Sequence, residues 1–260
     1  MTIIDGHVHT PYCPHGTGAA MEEYVKEAER KGINTLVFTE HAPLPEGFTD
    51  PVPEKDSAMR REDVRAYLDE GARLREKYAG RVDVRCGFEV DYIEGFENDT
   101  RRFLEEHREA AAHSILSVHF VKAGGSWFCL DYSADSFEEK AREVGVDQLY
   151  KAYGMAMEKA AEKPFGEVNP PVLGHINLIH KFRRRIRPET DPVNWASILE
   201  KAAQSGYVLD FNHAGIRKPE YRETYPEPWM VEEAQRLGLK LQTGSDAHSP
   251  EDVGSGFIPE

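Results

Sequence analysis

Short apolar runs alternate with longer amphipathic stretches along the whole chain, and this alternation restricts the fold more than any other feature. Seven runs rich in β-branched residues cover 2–5, 34–40, 82–90, 114–121, 171–176, 207–212 and 239–245. Between them, apolar residues recur three and four apart in 19–32, 59–79, 146–162, 192–205 and 228–238. A strand followed by a helix, repeated to the end, predicts parallel strands joined by crossover helices. Seven strands favour an α/β barrel with helices outside over a doubly wound open sheet, which the periodicity alone also allows.

The composition indicates one globular unit without a membrane span. The chain has 260 residues, of which 40% are hydrophobic, enough for one sizeable core. The mean hydropathy is −0.60, and no apolar run approaches the roughly 18 residues that a spanning helix needs. No linker, composition shift or repeat divides the chain, so we expect a single domain over residues 1–260. Two connections are long: 42–54, an expected surface loop, and 122–145, a candidate lid.

The charge balance argues against a polyanionic partner. Asp and Glu number 46 against 32 Lys and Arg, which gives a formal net charge of −14. Such a chain repels polyphosphates at long range, so nucleic acid and anionic membranes are poor candidates as partners. The first residues show no secretory pattern, and Cys13, Cys86 and Cys129 form an odd, widely spaced set. We therefore expect a cytoplasmic protein in a reducing compartment. The oligomeric state stays open.

A polar side chain able to bind metal stands near the end of every predicted strand. These residues are His7 and His9, His41, Glu89, His119, His175, Asn212, Asp246 and His248. A single histidine of this kind is most often structural, but parallel strands of a barrel bring their carboxyl ends to one mouth. The joint pattern therefore predicts a metal site, and imidazole with carboxylate suits zinc, manganese or iron. Cys13 could add a thiolate, although a cysteine before proline in an exposed loop is more typical of an unligated residue.

Several of these strand ends carry family motifs. DGHVHT, TEH, GFEVDY, SVHF, GHINL and GSDAH together resemble the motifs of the PHP (polymerase and histidinol phosphatase) superfamily. The longer stretches GHINLIHKF, LDFNHAGIRKP and GSDAHSPEDVG resemble more narrowly the PHP-type histidinol-phosphate phosphatases. The resemblance runs from Thr2 to about Pro259. It implies a distorted seven-stranded (β/α) barrel with two or three divalent metal ions at its mouth.

The resemblance also implies roles for individual residues. One metal would be held by His7, His9, Glu89 and Asp246; a second by Glu89, His119 and His175; a third by His15, His41 and His248. The candidates for catalysis are Asp246, His41 and His248, and the proton for the leaving group could come from His41, His248 or a metal-bound water. The reaction implied is hydrolysis of L-histidinol phosphate in histidine biosynthesis, by attack of a metal-activated hydroxide on phosphorus.

Other polar residues are expected to contact a small phosphate ester. Lys181 and Arg217 are the cationic candidates for binding the phosphate, because carboxylate ligands reduce the positive charge of a metal cluster. Ser117 and Asn212 could hydrogen-bond the substrate or brace the ligands.

The sequence departs from the family pattern at three points. Asn177 stands where many relatives carry an acid, His213 stands where they carry a small hydroxyl residue, and no helical pattern follows the seventh strand. We expect that part of the barrel to lack its usual cover. Two alternative functions remain: a PHP nuclease or proofreading-type phosphodiesterase, with which the same ligands are compatible, and a non-catalytic metal-binding protein, which Asn177 and the missing helix would fit.

Overall fold

A central parallel sheet organises the computed structural model, which describes residues 2–258. The strands are β1 (Ile4–Val8), β2 (Thr35–His41), β3 (Asp83–Asp91), β4 (Ile115–Ser117), β5 (Phe120–Ala123), β6 (Ser126–Cys129), β7 (Val172–Leu173), β8 (Val208–Asn212) and β9 (Lys240–Gly244). Seven of them form one parallel sheet in the order β1-β2-β3-β4-β7-β8-β9. Each apolar run of the sequence supplies one strand of this sheet, so the predicted set of strands is confirmed.

The sheet curls into a nearly closed barrel because its two end strands meet. Just beyond β9, Ala247 forms a parallel bridge with Val8 of β1. The His9 amide donates to the Ala247 carbonyl at 2.9 Å, and the Asp246 amide donates to the His7 carbonyl at 2.8 Å. The distorted seven-stranded α/β barrel is confirmed, and the open-sheet alternative is wrong.

Helices cover the outside of the barrel. They are α1 (Met21–Arg30), α2 (Val64–Lys77), α3 (Glu97–Glu106), α4 (Arg108–Ala111), α5 (Ala134–Val144), α6 (Val146–Ala160), α7 (Trp195–Gln204), α8 (Ala214–Arg217) and α9 (Pro228–Arg236). In α1, the buried side chains are Met21, Tyr24, Val25 and Ala28, three and four residues apart. Glu22 and Glu23 in its first turn and Arg30 in its last complement the helix dipole. None of the described helices is both long and apolar enough to cross a bilayer.

The fourth predicted strand is split, which changes the segment after it. The barrel strand β4 ends at Ser117, whereas β5 leaves the barrel and pairs antiparallel with β6. His119 therefore lies in the bend between them, and not within a strand. The segment 122–145 contains β6 and α5, so it is an ordered hairpin and helix. The Ser133 hydroxyl caps α5 by accepting from the Ser136 amide at 3.1 Å.

The stretch after β9 contains no α-helix within the residues that the structure describes. A single 3₁₀ turn, Pro250–Asp252, follows the last strand. The Gly254 amide donates to Asp5 Oδ2 at 2.8 Å, and Lys31 Nζ donates to the Val253 carbonyl at 2.7 Å. An irregular segment, hydrogen-bonded to β1 and to the residue after α1, thus covers this part of the barrel. Pro259 and Glu260 lie outside the described residues.

Candidate metal centre

The carboxyl ends of the barrel strands open into a cavity of about 460 Å³. The histidine, lysine and carboxylate residues that line it are His15, His41, Glu54, Asp56, Glu89, Asp91, His119, Asp131, His175, Lys181, Lys218, Asp246 and His248. Parallel strands all present their carboxyl ends at this rim, which explains why side chains from distant parts of the sequence meet here.

Strand β1 brings two histidines directly beneath this cavity, against Glu89 of its floor. His7 and His9 are two residues apart in extended backbone, so both rings point to the same side, and their centroids lie 5.3 Å apart. Gly244 on β9 permits the close approach of that strand, since a Cβ there would lie 2.7 Å from the Cβ of His7. Both rings are buried.

Buried carboxylates orient three of the histidines. Nδ1 of His7 lies 2.8 Å from Asp210 Oδ2, Nδ1 of His9 lies 3.2 Å from Glu40 Oε1, and Nδ1 of His119 lies 2.9 Å from Asp91 Oδ1. Because an ionised carboxylate only accepts, each Nδ1 carries the proton and each Nε2 presents a lone pair. A carboxylate behind the ring is the usual support of a metal-binding histidine.

Glu89 lies at the centre of the histidines. Its Oε2 is 3.4 Å from Nε2 of both His7 and His9 and 3.2 Å from Nδ1 of His41, and its Oε1 is 2.8 Å from Nε2 of His175 and 3.6 Å from Nε2 of His119. Asp246 Oδ1 lies 3.4 Å from Nε2 of His9. The two oxygens of Glu89 thus face different histidines, which is the placement that a bridging carboxylate requires.

Ligand atoms in this floor form three adjoining groups, each within 4.8 Å. The groups are His7, His9 and Glu89; Glu89, His119 and His175; and His9, Cys13, His41 and His248. Among the described residues, Nε2 of His7, Nε2 of His9, Nδ1 of His41 and Nδ1 of His175 are buried without a hydrogen-bond partner. An unsatisfied buried polar atom costs about 1–3 kcal/mol, which a bound cation would offset. The residues present therefore fit divalent metal ions.

The electrostatics of the floor favour positive charge. Burial lowers the pKa of His7, but the carboxylates of Asp210, Glu89 and Asp246 outweigh it and raise that pKa well above its ordinary value. Burial raises the pKa of Glu89, but the nearby histidines keep it well below its ordinary value. A divalent cation would compete with the proton for these imidazoles.

His15 lies beside the third ligand group but is not a member of it. Nε2 of His15 lies 3.7 Å from Asp56 Oδ1, and 44% of its side chain is exposed at the cavity mouth. Cys13 is buried instead, so the expectation that it lies in an exposed loop is wrong. Burial raises the pKa of the Cys13 thiol, but the neighbouring imidazoles of His15, His248 and His9 outweigh it and lower the pKa to about 5.

Ser117 and Asn212 brace carboxylates and are not among the cavity-lining residues. The Ser117 hydroxyl donates to Glu89 Oε1 at 2.7 Å. Asn212 Nδ2 donates at 3.1 Å to Oδ2 of both Asp246 and Asp210. Asp246 has a φ of 52°, in the left-handed region that a non-glycine residue adopts only when its surroundings hold it there. Asn212 is part of that support.

Of the two predicted cationic residues, the structure brings only Lys181 to the cavity. Its Nζ donates to the Asp131 carbonyl at 2.9 Å and to Asp131 Oδ2 at 3.1 Å. Nη2 of Arg217 instead donates to the Ser245 carbonyl at 2.9 Å and lies 3.4 Å from the Asp246 carbonyl, while its buried Nη1 has no hydrogen-bond partner. The next residue, Lys218, lines the cavity in its place.

Asn177 and His213, which depart from the family pattern, are not among the residues that line the cavity. Asn177 Nδ2 donates to the Tyr221 hydroxyl at 2.8 Å and to Glu227 Oε1 at 3.1 Å. His213 Nδ1 donates to the Phe211 carbonyl at 2.9 Å. Neither departure from the family pattern therefore alters the residues that surround the proposed metals.

Several residues of the site were not singled out from the sequence. They are Glu40, Asp91, Asp131, Asp210 and Lys218. Strand periodicity was an available signal for two of them, because Asp91 follows Glu89 by two residues and Asp210 precedes Asn212 by two. Nothing comparable marks Asp131 or Lys218, which lie outside the strands.

Fold and site together define a parallel α/β barrel with a candidate multinuclear histidine–carboxylate metal centre. A model of the PHP domain matches residues 5–214, and the chain belongs to this family. It is 38% identical over 258 residues to the histidinol-phosphatase of Bacillus subtilis (strain 168), covering 97% of this chain and 96% of that protein. The resemblance found in the motifs is thereby confirmed.

Solved structures agree with this assignment. The structure of hisK from Listeria monocytogenes superposes with a TM-score of 0.90 at 32% identity, covering 98% of both chains. A histidinol phosphate phosphatase from Lactococcus lactis, crystallised with zinc, L-histidinol and phosphate, has a TM-score of 0.68 at 19% identity. That alignment covers 96% of this chain and 87% of the Lactococcus chain, and shows a shared fold.

Proposed function

We propose that this chain is a metal-dependent phosphomonoesterase that hydrolyses L-histidinol phosphate to L-histidinol and phosphate in histidine biosynthesis. The observation that carries the proposal is the set of three adjoining ligand groups, two of them sharing Glu89, on the floor of a cavity of about 460 Å³. The substrate follows from the Bacillus subtilis histidinol-phosphatase, which is 38% identical over nearly the full length of both chains.

The chain holds two or three divalent ions, of zinc, manganese or iron. His7, His9, Glu89 and Asp246 form the first position, and Glu89, His119 and His175 form the second. His41 and His248 belong to the third position, to which the family resemblance also assigns His15. Such ions lower the pKa of a bound water toward neutrality and neutralise the charge that develops on phosphoryl oxygens.

The walls of the cavity complement a substrate with charges of both signs. Lys181 and Lys218 line one part of it, where burial lowers the pKa of Lys218 and the neighbouring Lys181 lowers it further. A phosphate between these two ammonium groups would relieve their repulsion. Glu54 and Asp56 line the outer rim, where they would attract the ammonium group of histidinol.

The departing alkoxide receives its proton at the side of the cavity where His248 lies. Burial lowers the pKa of His41 well below its ordinary value, which favours its neutral form over the protonated form that a general acid needs. His248 lines the cavity and 32% of its side chain is exposed, so water and substrate reach it.

A phosphodiesterase acting on nucleic acid is less well supported. Glu54, Asp56 and Asp131 line the cavity and would repel the phosphates flanking a scissile diester. Tight, salt-sensitive binding of single-stranded DNA by the purified protein would favour this alternative.

An assay of metal-loaded protein against a panel of phosphate monoesters tests the proposal. We expect the highest kcat/KM for L-histidinol phosphate, in the presence of manganese or zinc, and loss of activity after chelation. Fast turnover of another ester without turnover of L-histidinol phosphate would overturn the substrate. Full metal occupancy without hydrolysis of any ester would instead favour a non-catalytic metal-binding protein.

A further inference from the structure

The loop after β1 places a cysteine where the family resemblance expects a histidine. The Cys13 amide donates to the Thr10 carbonyl at 3.0 Å, and the Gly16 amide donates to the Cys13 carbonyl at 3.0 Å. These two tight turns fold the loop back over the barrel mouth. A Cβ on Gly16 would lie only 3.0 Å from the Thr10 carbonyl oxygen, so the path of the loop depends on this glycine. The turns direct Cys13 inward, and His15 outward toward Asp56.

The inward-facing thiol joins a set of closely packed imidazoles. The ring centroids of His9 and His248 are 4.0 Å apart, and those of His9 and His41 are 4.4 Å apart. The ligand atoms of these three histidines and Cys13 all lie within 4.8 Å of one another, whereas His15 is not a member of the group. The loop is held to this position because the Thr17 amide donates to the His248 carbonyl at 3.2 Å.

Two buried nitrogen atoms of the same group have no hydrogen-bond partner. They are Nε2 of His9, whose ring is fully buried, and Nδ1 of His41. Buried nitrogen atoms without partners, packed beside a buried thiol, are the arrangement of a cation site and not of an apolar core.

We propose that Cys13 ligates the third metal ion through its thiolate, together with His41 and His248, and that His15 stays at the cavity mouth. The proposal deepens the proposed function, because it rests on the metal cluster assigned there. A sulfur ligand makes this position softer than the other two, which offer only nitrogen and oxygen. We therefore expect the third position to retain zinc when the other two exchange to manganese.

X-ray absorption at the zinc edge tests the ligand directly. For zinc-loaded wild-type protein we expect a sulfur shell at about 2.3 Å beside nitrogen and oxygen at about 2.0–2.1 Å. Cys13→Ser should lose that shell. Cys129→Ser is the matched control, because Cys129 is another buried thiol and belongs to no ligand group, and it should keep the shell. A wild-type spectrum without sulfur, or a sulfur shell that survives in Cys13→Ser, would overturn the proposal.

Metal content provides a second readout that does not depend on activity. We expect Cys13→Ser to lose about one zinc per chain at limiting zinc, while His15→Ala retains it. Loss of one zinc in His15→Ala but not in Cys13→Ser would identify His15 as the ligand of the third ion and overturn the proposal. The wild-type spectrum does not require any variant to fold, and retention of the first two ions shows that Cys13→Ser is folded.

Failure of this inference and failure of the proposed function give different results. Wild-type protein that hydrolyses L-histidinol phosphate but has no zinc–sulfur shell overturns the Cys13 assignment alone. Protein with the sulfur shell but no hydrolysis of L-histidinol phosphate overturns the substrate and supports the ligand.

Discussion

Glu89 is the residue on which the candidate site depends most. It is almost fully buried, and its two oxygens face histidines from four different parts of the barrel rim. A buried carboxylate of this kind is stable only beside compensating positive charge, either protons on imidazoles or metal ions. Ser117 holds its orientation from behind. The loss of this one charge should therefore disturb more than one metal position.

We predict that Glu89→Gln lowers the metal content by more than one ion per chain and lowers kcat/KM by about 10³-fold. The reason is that the amide keeps the shape of Glu89 but removes the charge, which would remove several kcal/mol of transition-state stabilisation. Elemental analysis and steady-state kinetics measure the two effects. Glu54→Gln is the control, since Glu54 lines the outer cavity without belonging to a ligand group, and its metal content should not change. Normal metal content in Glu89→Gln would contradict the bridging role.

At the scale of secondary-structure elements, helix α8 and the residue after it separate two cations that the sequence presents side by side. Arg217 ends α8 and supports the backbone of Ser245 and Asp246, whereas Lys218 lines the cavity. The sequence predicts a substrate contact at Arg217, whereas the cavity lining includes Lys218 and not Arg217.

We predict that substitution of the two cationic residues affects different quantities, KM for Lys218 and metal affinity for Arg217. Lys218→Met should raise KM for the phosphate ester about 10- to 100-fold, since a hydrogen bond to a charged group contributes about 1.5–3 kcal/mol, with metal content unchanged. Arg217→Ala should weaken metal affinity by about 10- to 100-fold, since it loosens the support of Asp246, and should leave KM unchanged at saturating metal. Kinetics and metal competition with a chelator measure both. If Arg217→Ala raised KM alone, Arg217 would be the substrate contact after all.

Another group of elements is tied together by buried charges away from the cavity. His180 Nε2 donates to Asp191 Oδ2 at 2.8 Å, and its Nδ1 donates to Glu227, the residue that precedes α9. Arg183 Nη1 donates to the same Glu227 carboxylate at 2.6 Å. Burial raises the pKa of Glu227, but His180 and Arg183 outweigh it and lower the pKa to about 2. Burial lowers the pKa of His180, but the two carboxylates outweigh it and raise that pKa.

We predict that this network makes stability depend on pH in a defined direction. Because the folded pKa of His180 is raised, its contribution is complete below the unfolded pKa of about 6.5 and is lost as pH rises through the folded value. The contribution of Glu227 is present above its unfolded pKa and is lost as pH falls toward about 2. Urea unfolding of metal-saturated wild type and His180→Gln should show a difference that shrinks above about pH 6.5. A difference that stays constant with pH would contradict a protonated His180.

At the scale of the whole molecule, the contacts that close the barrel also bring the proposed ligands together. The proposed ligands begin with His7 in β1 and end with His248 after β9, and β1 contacts the end of β9 through His7 and Asp246. Metal ions at the mouth would therefore bind residues from both ends of the barrel sheet. Without them, the buried carboxylates and unpartnered imidazoles of the floor have no full compensation.

We predict that removal of metal destabilises the entire barrel. Each ion held at a free concentration about 1,000-fold above its Kd adds about 4 kcal/mol, which corresponds to a fall in Tm of roughly 10 °C or more upon chelation. Scanning calorimetry of protein before and after chelation, and after zinc is restored, measures this change. An unchanged Tm after complete metal removal would show that the ions do not stabilise the folded chain.

The sequence alone determined the architecture and the kinds of ligand. Apolar periodicity is a local property, so the seven strands could be recognised one at a time, and the motif GFEVDY already contains both Glu89 and Asp91. His7 and His9 also face one side by strand geometry alone. These features depend on residues close together in the chain, which is why the sequence was sufficient.

Only the tertiary structure decided which side chain points into the cavity where the backbone is irregular. Cys13 is buried beside three of the histidines and His15 lies at the cavity mouth because two turns reverse the loop, and Lys218 lines the cavity because α8 ends at Arg217. Loops have no periodicity that relates sequence spacing to direction, so each orientation depends on contacts with distant residues. The sequence therefore determined the fold and the kinds of ligand. Long-range packing decided which of two residues close together in the chain, such as Cys13 and His15, faces the site.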